Sequence, residues 1–258
     1  MSLAKELYAY REMIFSLVRK DLRGRYKGSV LGFLWTFINP LLQLLVYTMV
    51  FSFILRSGIE KYYLFLFVAL IPWIFFSSCI SFGSGVIIAE KNLITKIYFP
   101  REVIPISYVT SSFVNMLYCF VVVVVVVFIS GVPFHALAWL CLPVVMAVEY
   151  VMALGIALIV SSITVYFRDL QHIMGIVAMA WQFLTPVMYS IDIVPESIKP
   201  VFMLNPMTPV IIAYRDVLYY GRAPQLSTLA MALVFGVVLL AAGGLVFGRL
   251  KKHFAEEL

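Results

Sequence analysis

Charged residues are scarce in this chain of 258 residues: Asp, Glu, Lys and Arg make up only 12% of it, whereas 63% is hydrophobic. A soluble domain is usually about a quarter charged and about half apolar. A soluble fold of this length has too little interior to hide so much apolar surface. The composition therefore excludes an ordinary soluble globular protein and predicts an integral membrane protein.

The charges that are present leave six long stretches without any, and these stretches set the predicted topology. A spanning helix needs about 20 apolar residues, and the stretches lack the alternation of barrel strands. The stretch 103–148 is too long for one span, and Gly131-Val132-Pro133 divides it. We predict an all-α fold, a single transmembrane domain over 1–258 with spans at 30–55, 63–89, 104–130, 138–165, 170–190 and 227–248.

Lys and Arg are distributed unevenly between the two sides of these spans. With the N-terminus in the cytoplasm, fourteen of the nineteen fall in cytoplasmic segments, and five, Arg215 among them, fall outside. Cytoplasmic enrichment of Lys and Arg is the usual orientation signal. We therefore predict that both termini are cytoplasmic, and the net charge of +6 needs no nucleic-acid partner to explain it.

Residues that would do chemistry are few and scattered. The three cysteines lie within spans without metal-ligand spacing, and the three histidines are far apart in the sequence: Cys79, Cys119, Cys141, His135, His172, His253. No phosphate-binding G-x-x-x-x-G-K-[ST] stretch occurs. We expect no catalytic residue, metal or cofactor in this chain, so a nucleotide-driven activity would need ATP and Mg on another subunit.

Two other classes of membrane protein lack the residues they need. A multi-span enzyme acting on lipid-linked sugars needs clustered acids or histidines at the membrane surface; Asp192 and Glu196 come nearest and are explained by a solvated face. An ion-coupled transporter needs several ionisable groups within its spans, and Glu149 stands alone there. We expect Glu149 to be neutral or hydrogen-bonded to a Ser or Tyr.

Residues 7–27 form a predicted amphipathic helix at the cytoplasmic membrane interface. Its apolar positions recur at helical spacing: Leu7, Tyr10, Ile14, Leu17, Val18, Leu22, Tyr26. Arg19, Arg23 and Lys27 form a basic row that would face anionic headgroups. The row either fixes topology only, or it also collects an anionic lipid-linked substrate, for which the planar fork of Arg suits phosphate.

Three connecting segments carry further information. In the 90–103 loop, Leu93, Ile94, Ile97 and Tyr98 would form one apolar face of a short helix, which suits a docking partner or a plain interfacial loop. Arg168-Asp169 lies between spans four and five, where Asp169 is also suited to cap a helix. The proline-rich segment 191–226 is too broken to span and predicts a re-entrant or interfacial pair of short helices.

Four stretches resemble the transmembrane subunit of ATP-binding-cassette exporters of lipid-linked polysaccharides, the O-antigen and teichoic acid type. They are Arg25-Tyr26-Lys27-Gly28-Ser29-Val30-Leu31-Gly32 with Trp35 and Pro40; Leu93 to Pro105; Phe167-Arg168-Asp169; and Asn205-Pro206 followed by Tyr214-Arg215. The order and separations of the stretches fit this family, and the resemblance covers nearly the whole chain.

The resemblance implies a homodimer in the bacterial cytoplasmic membrane, bound to two copies of an ATPase subunit. It implies six spans, an N-terminal interface helix and re-entrant helices between spans five and six. The substrate would be an undecaprenyl-diphosphate-linked glycan; another cargo stays open as an alternative.

Roles for particular residues follow from the same resemblance and from position. ATPase docking is expected from Leu93, Ile94, Lys96, Ile97, Tyr98, Phe99, Pro100, Arg101, Glu102, Arg168 and Asp169. Entry of the lipid diphosphate is expected at Arg19, Arg23, Arg25 and Lys27. Aromatic residues expected to line the channel are Trp35, Phe37, Tyr47, Phe183 and Tyr189.

Overall fold

The computed structural model describes residues 3–25 and 27–258, and the regular structure within them is entirely helical. The prediction of an all-α fold is confirmed. Tyr26, which the sequence assigns to the interfacial helix, lies outside the described residues.

The α-helices run in chain order with short 3₁₀ turns between several of them. They are α1 (Leu3–Ala9), α2 (Arg11–Gly24), α3 (Trp35–Thr48), α4 (Tyr62–Ser81), α5 (Val86–Ala89), α6 (Lys91–Lys96), α7 (Val103–Ile129), α8 (Ala136–Tyr166), α9 (Leu170–Leu184), α10 (Lys199–Met203), α11 (Met207–Leu218), α12 (Leu226–Leu250) and α13 (Phe254–Glu257). The chain continues α3 as a π-helix over Met49–Ile54.

Five helical runs in the described residues are long and apolar enough to cross a membrane, and they match five of the six predicted spans. They are Gly32–Ile54, Tyr62–Lys96, Val103–Ile129, Ala136–Tyr166 and Leu226–His253. The predicted break at 131–133 falls between α7 and α8.

The helix found in the region of the predicted span 170–190 is shorter than that prediction. The helix there, α9, has 15 residues, a length of about 22 Å against a hydrocarbon core of roughly 30 Å. It ends at Leu184 because Thr185 is extended, as residues before a proline usually are, and Pro186 follows.

The centre of the bundle is formed by α4 and α8. Fifteen of the twenty residues of α4 are buried, as expected of a helix that is hydrophobic on all sides. The helix contacts α3, α7, α8, α9 and α11. By contrast, only 6% of the residues in the most apolar stretch of the first run, which contains α3, are buried. In the run that contains α4 the share is 78%. The first span therefore lies at the edge of the bundle, with most of its surface free.

Two glycines bring the backbones of α8 and α12 into direct contact. A Cβ added at Gly243 would lie 2.4 Å from the carbonyl oxygen of Gly155, and one added at Gly155 would lie 2.4 Å from the backbone of Leu239. Small residues at such crossings are typical of helix packing in membranes.

Replacing Gly243 with Ala is therefore expected to destabilise the bundle. The added methyl group meets backbone, which cannot rotate away, so the two helices must separate at a cost of about 1–3 kcal/mol or more. Gly244→Ala is the matched control, because nothing lies within 4 Å of its added Cβ. Thermal unfolding of both purified variants in detergent checks this, and equal melting temperatures would contradict it.

Both described ends of the chain lie at one end of the bundle, with the 90–103 loop and the 166–169 turn; we call this the loop end. The Tyr10 hydroxyl donates to the carbonyl of Tyr98 at 3.3 Å, and the Tyr166 hydroxyl donates to the carbonyl of Leu250 at 2.9 Å. The structure thus places both chain ends on the same side of the bundle. Which side faces the cytoplasm stays a prediction from the distribution of Lys and Arg.

Candidate docking loop and translocation surfaces

The 90–103 loop is anchored by some of its apolar residues and exposes others. Ile94 is only 2% exposed, and it packs with Phe99 in a cluster that includes side chains of α2 and α7. Ile97 and Tyr98 are 52% and 89% exposed. Exposed apolar side chains on a firmly held loop form a surface suited to a protein partner.

The expected single apolar face of this loop is wrong. The helix ends at Lys96 and Ile97 is extended, so Leu93 and Ile94 turn toward the bundle while Ile97 and Tyr98 point away from it. The physical reason is that a buried apolar cluster, with side chains from α2, α7, α8 and α12, takes in the first pair.

The remaining loop residues predicted to dock differ in how far they are available. Lys96 is exposed, whereas Pro100 and Arg101 are half-buried, and Arg101 lies over the Phe99 ring at 5.2 Å. Glu102 is buried and forms an ion pair with Lys251. Glu102 therefore ties the loop to the end of α12.

The 166–169 turn is held at the same end by the last residues of the chain. Arg168 donates to the carbonyl of Glu257 at 3.3 Å, and Phe254 packs in a buried position against Tyr166. Asp169 is exposed and precedes α9 without a side-chain capping hydrogen bond. The C-terminal segment thus contacts both loops that were predicted to meet the ATPase.

The apolar face of α2 packs on protein, because Met13, Ile14 and Leu17 join the cluster beneath the loop and Val18 is buried. Arg19, Arg23 and Lys27 are exposed on the other side. The basic row is thus available to an anionic ligand.

Arg25 differs from the other three predicted entry residues. Its guanidinium donates to Asp21 on α2 at 2.9 Å and to Ser112 on α7 at 2.8 Å. Ser111 donates to the same Asp21 carboxylate. Arg25 therefore fastens the end of α2 to the third span, which the one-dimensional spacing of the basic residues does not reveal.

The predicted channel aromatics lie on α3 and at the end of α9. Trp35 is half-buried and donates to the Ser29 hydroxyl at 3.0 Å, and Tyr47 is half-buried against the main core. Phe183 is 60% exposed, and Tyr189 donates to its carbonyl at 2.7 Å. In a single chain these residues are divided between two helices, α3 and α9, each of which packs on α4.

Phe37 belongs to an aromatic cluster that sequence reasoning missed. Phe33 packs edge-on against both Phe37 and Tyr118, with ring centroids 5.4 and 5.3 Å apart. With Val121 and Val122 these rings line an open groove. The spacing of Phe33 and Phe37, four residues apart on a helix, is a signal that could have found the first pair.

Glu149 is fully buried and accepts a hydrogen bond from Tyr214 at 2.6 Å. The expectation of a Ser or Tyr partner for this carboxyl is confirmed. Its other oxygen has no hydrogen-bond partner among the described residues.

Arg215, which was counted with the outside cations, lies within the bundle and is 4% exposed. Its guanidinium donates to the carbonyls of Pro186, Val187 and Tyr189, just after α9. It also lies 3.5 Å from the centre of the Phe65 ring. Sequence reasoning missed this role, because the carbonyl partners come from a turn about thirty residues earlier.

Asn205 fixes the same turn from the other side. Its amide donates to the carbonyl of Leu184 and to the Thr185 hydroxyl, and its oxygen accepts from the Trp181 indole and the Met207 backbone. Together, Asn205 and Arg215 attach the end of α9 to the α10–α11 segment.

The whole chain is similar to known membrane transport proteins. It is 36% identical to the O-antigen export system permease protein RfbA of Myxococcus xanthus, with 99% of each chain covered. It is 32% identical to the protein of that name from Klebsiella pneumoniae, with 96% of this chain and 95% of the relative covered. The polysialic acid transport protein KpsM of Escherichia coli is 23% identical over 88% of this chain and 89% of its own length.

A protein-family model also matches this chain, and it describes a membrane transporter. The model described as ABC-2 type transporter matches residues 12–219, from the start of α2 to just beyond α11. That range holds the anchored loop with its exposed Ile97 and Tyr98 and four of the five long apolar runs. This chain belongs to the ABC-2 type transporter family, as a multi-pass permease subunit whose ATPase is a separate chain.

Proposed function

We propose that this chain is the permease of an ATP-driven exporter that moves an undecaprenyl-diphosphate-linked polysaccharide, such as O-antigen, across the bacterial cytoplasmic membrane. The observation that carries the proposal is similarity over 95% or more of the chain to permeases named for O-antigen export. The alternative cargoes, teichoic acid or an unrelated substrate, would use the same fold, because function lies in sites.

Energy would enter through the docking loop. Ile97 and Tyr98 are the exposed contacts for the ATPase. Ile94 and Phe99 would transmit the movement of the loop to the buried cluster at the start of α7, because both belong to that cluster. The Glu102–Lys251 ion pair links the loop to α12. Closure of two ATPase subunits on ATP would then tilt several spans together and shift a two-state opening.

The channel would form between two copies of the chain. The largely free surfaces of α3 and α9 supply faces for a second copy, with Phe37 and Phe183 among their aromatics. In this arrangement α9 and the turn after it serve as a sixth, short span, and α10 and α11 re-enter the membrane from the far side. Sugar rings would pass along aromatic faces.

The lipid diphosphate would approach from the inner leaflet along the exposed basic row of α2. Reversing Arg19 and Arg23 to Glu is expected to reduce export roughly tenfold or more, because each basic residue near the surface attracts anionic lipid by about 1 kcal/mol. The amount of glycan on the cell surface measures export, and co-purification of the ATPase checks that the complex still assembles. Lys5→Glu with Arg11→Glu changes the charge equally on the same segment and serves as control; equal export by both pairs would contradict the entry route.

The cargo itself is tested by mass spectrometry of membrane lipids from cells lacking this chain. We expect a complete lipid-diphosphate glycan to accumulate while surface glycan disappears. Accumulation of a different compound would establish the alternative exporter. Truncated lipid-linked glycans would instead indicate an enzyme of glycan synthesis and overturn the proposal.

A further inference from the structure

A cavity of about 530 Å³ opens near the loop end of the bundle, between α2, α5, α7 and α9. Its size falls within the range of about 300–1,000 Å³ that is typical of small-molecule sites. The helices reach the cavity just before or after the 90–103 loop and the 166–169 turn. With the predicted topology, the cavity therefore lies at the depth of the inner-leaflet headgroups.

The walls and the rim of the cavity differ in chemistry. The walls are mostly apolar and include Leu17, Phe82, Val86, Ala89 and Ile104. Such walls suit hydrocarbon better than a sugar or a nucleotide.

Two ion pairs belong to the lining of the cavity. Lys20 donates to Glu90 at 2.6 Å, and Arg25 donates to Asp21 at 2.9 Å. All four residues line the cavity, so its lining holds two positive and two negative groups and no net charge. An anionic diphosphate would meet both carboxylates there, whereas a headgroup that carries one charge of each sign would match both kinds of residue.

We propose that this cavity binds a zwitterionic phospholipid of the phosphatidylethanolamine type. Its phosphate lies toward Lys20, its ammonium lies toward Glu90, and an acyl chain lies along Leu17 and Ile104, while Arg25 and Asp21 stay paired with each other and with α7. The lipid fills the space between the interface helix and the spans. This site is separate from the outward-facing row of Arg19, Arg23 and Lys27.

The test uses the purified permease–ATPase complex, delipidated in mild detergent and titrated with short-chain phosphatidylethanolamine or phosphatidylglycerol under native mass spectrometry. We expect one phosphatidylethanolamine per permease, and at least about tenfold weaker binding of phosphatidylglycerol, which has no ammonium to meet the carboxylates. Lys20→Glu should weaken phosphatidylethanolamine binding by a similar factor.

Variants separate the cavity from nonspecific lipid adhesion. Ala89→Phe places a ring in the cavity and should abolish the bound lipid. Lys20→Glu with Glu90→Lys restores the ion pair with its charges exchanged and should restore binding even if Ala89→Phe folds poorly. Lys5→Glu makes the same charge change on α1 and should leave binding unchanged. Equal affinity for both lipids, retention of lipid in Ala89→Phe, or tighter binding of the lipid-linked glycan or a protein segment would overturn the proposal.

Discussion

Replacement of Arg215 by Met is expected to produce the largest loss of stability of any single change described for this chain. The guanidinium is nearly inaccessible and donates to three carbonyls of the turn after α9. Met fills a similar volume but donates nothing, so each of these carbonyls loses a hydrogen bond that water does not readily replace. An unsatisfied buried polar group costs about 1–3 kcal/mol, and the loss should total roughly 3 kcal/mol or more.

The measurement is thermal unfolding of the purified permease in detergent, together with its abundance in membranes. Lys199→Met is the matched control, since it removes a cation from the same segment whose ion-pair partner, Glu196, is 86% exposed. Such pairs contribute about 0–1 kcal/mol. Arg215→Lys should not rescue stability, because one ammonium cannot replace the planar fork. An Arg215→Met variant as stable as the unmodified protein would contradict this prediction, because the turn after α9 would then keep its structure without hydrogen bonds from Arg215.

The consequence for transport follows from where the turn lies. The α10–α11 segment holds the end of α9 through Asn205 as well as Arg215. Any movement of α11 must therefore carry the end of α9 with it, and this helix is one of the two proposed to face the channel. Stability and channel geometry depend on the same contacts.

The long spans could be predicted from the sequence because lipid excludes charge over the whole length of a helix. The same rule could not give the end of α9, which depends on a local event, the extended Thr185 before Pro186. Nor could it assign Arg215, since a cation in a short proline-rich segment looks like a loop residue. Its burial is favoured by carbonyls and by the Phe65 ring, which only tertiary structure assembles.

The sequence predicted an exposed apolar loop at 90–103 but not which of its residues are exposed, and its docking role stays a prediction. Charge and apolar spacing located the 90–103 loop, and the loop does expose apolar residues at the end that holds both described chain ends. Helical periodicity assigned Leu93, Ile94, Ile97 and Tyr98 to one face, and it failed because the helix stops at Lys96. Contact with the buried cluster decides which of the four are buried, and a pattern within the loop holds no information about the other helices that build this cluster.

Replacement of Tyr98 by Ala is expected to give the largest loss of coupling to the ATPase. This side chain is the most exposed apolar group of the docking loop, and its backbone is held by Tyr10 and by the buried Phe99 beside it. An exposed aromatic on a rigid support suits an interface hot spot, whose truncation costs about 2 kcal/mol or more. Affinity for the ATPase subunit should fall about thirtyfold, with the fold of the permease intact.

Binding of the ATPase to permease in lipid nanodiscs measures this directly, and surface glycan in cells gives the consequence for export. Tyr220→Ala is the control, because Tyr220 is also exposed but precedes the start of α12, about 37 Å along that helix from the loop end. Tyr98 is not part of the buried cluster, so its replacement should leave the melting temperature of the permease unchanged. ATP hydrolysis by the ATPase should then continue with less transport. Unchanged affinity in Tyr98→Ala would place the ATPase contact elsewhere on the loop end, with the exposed Arg168 and Asp169 as the next residues to test.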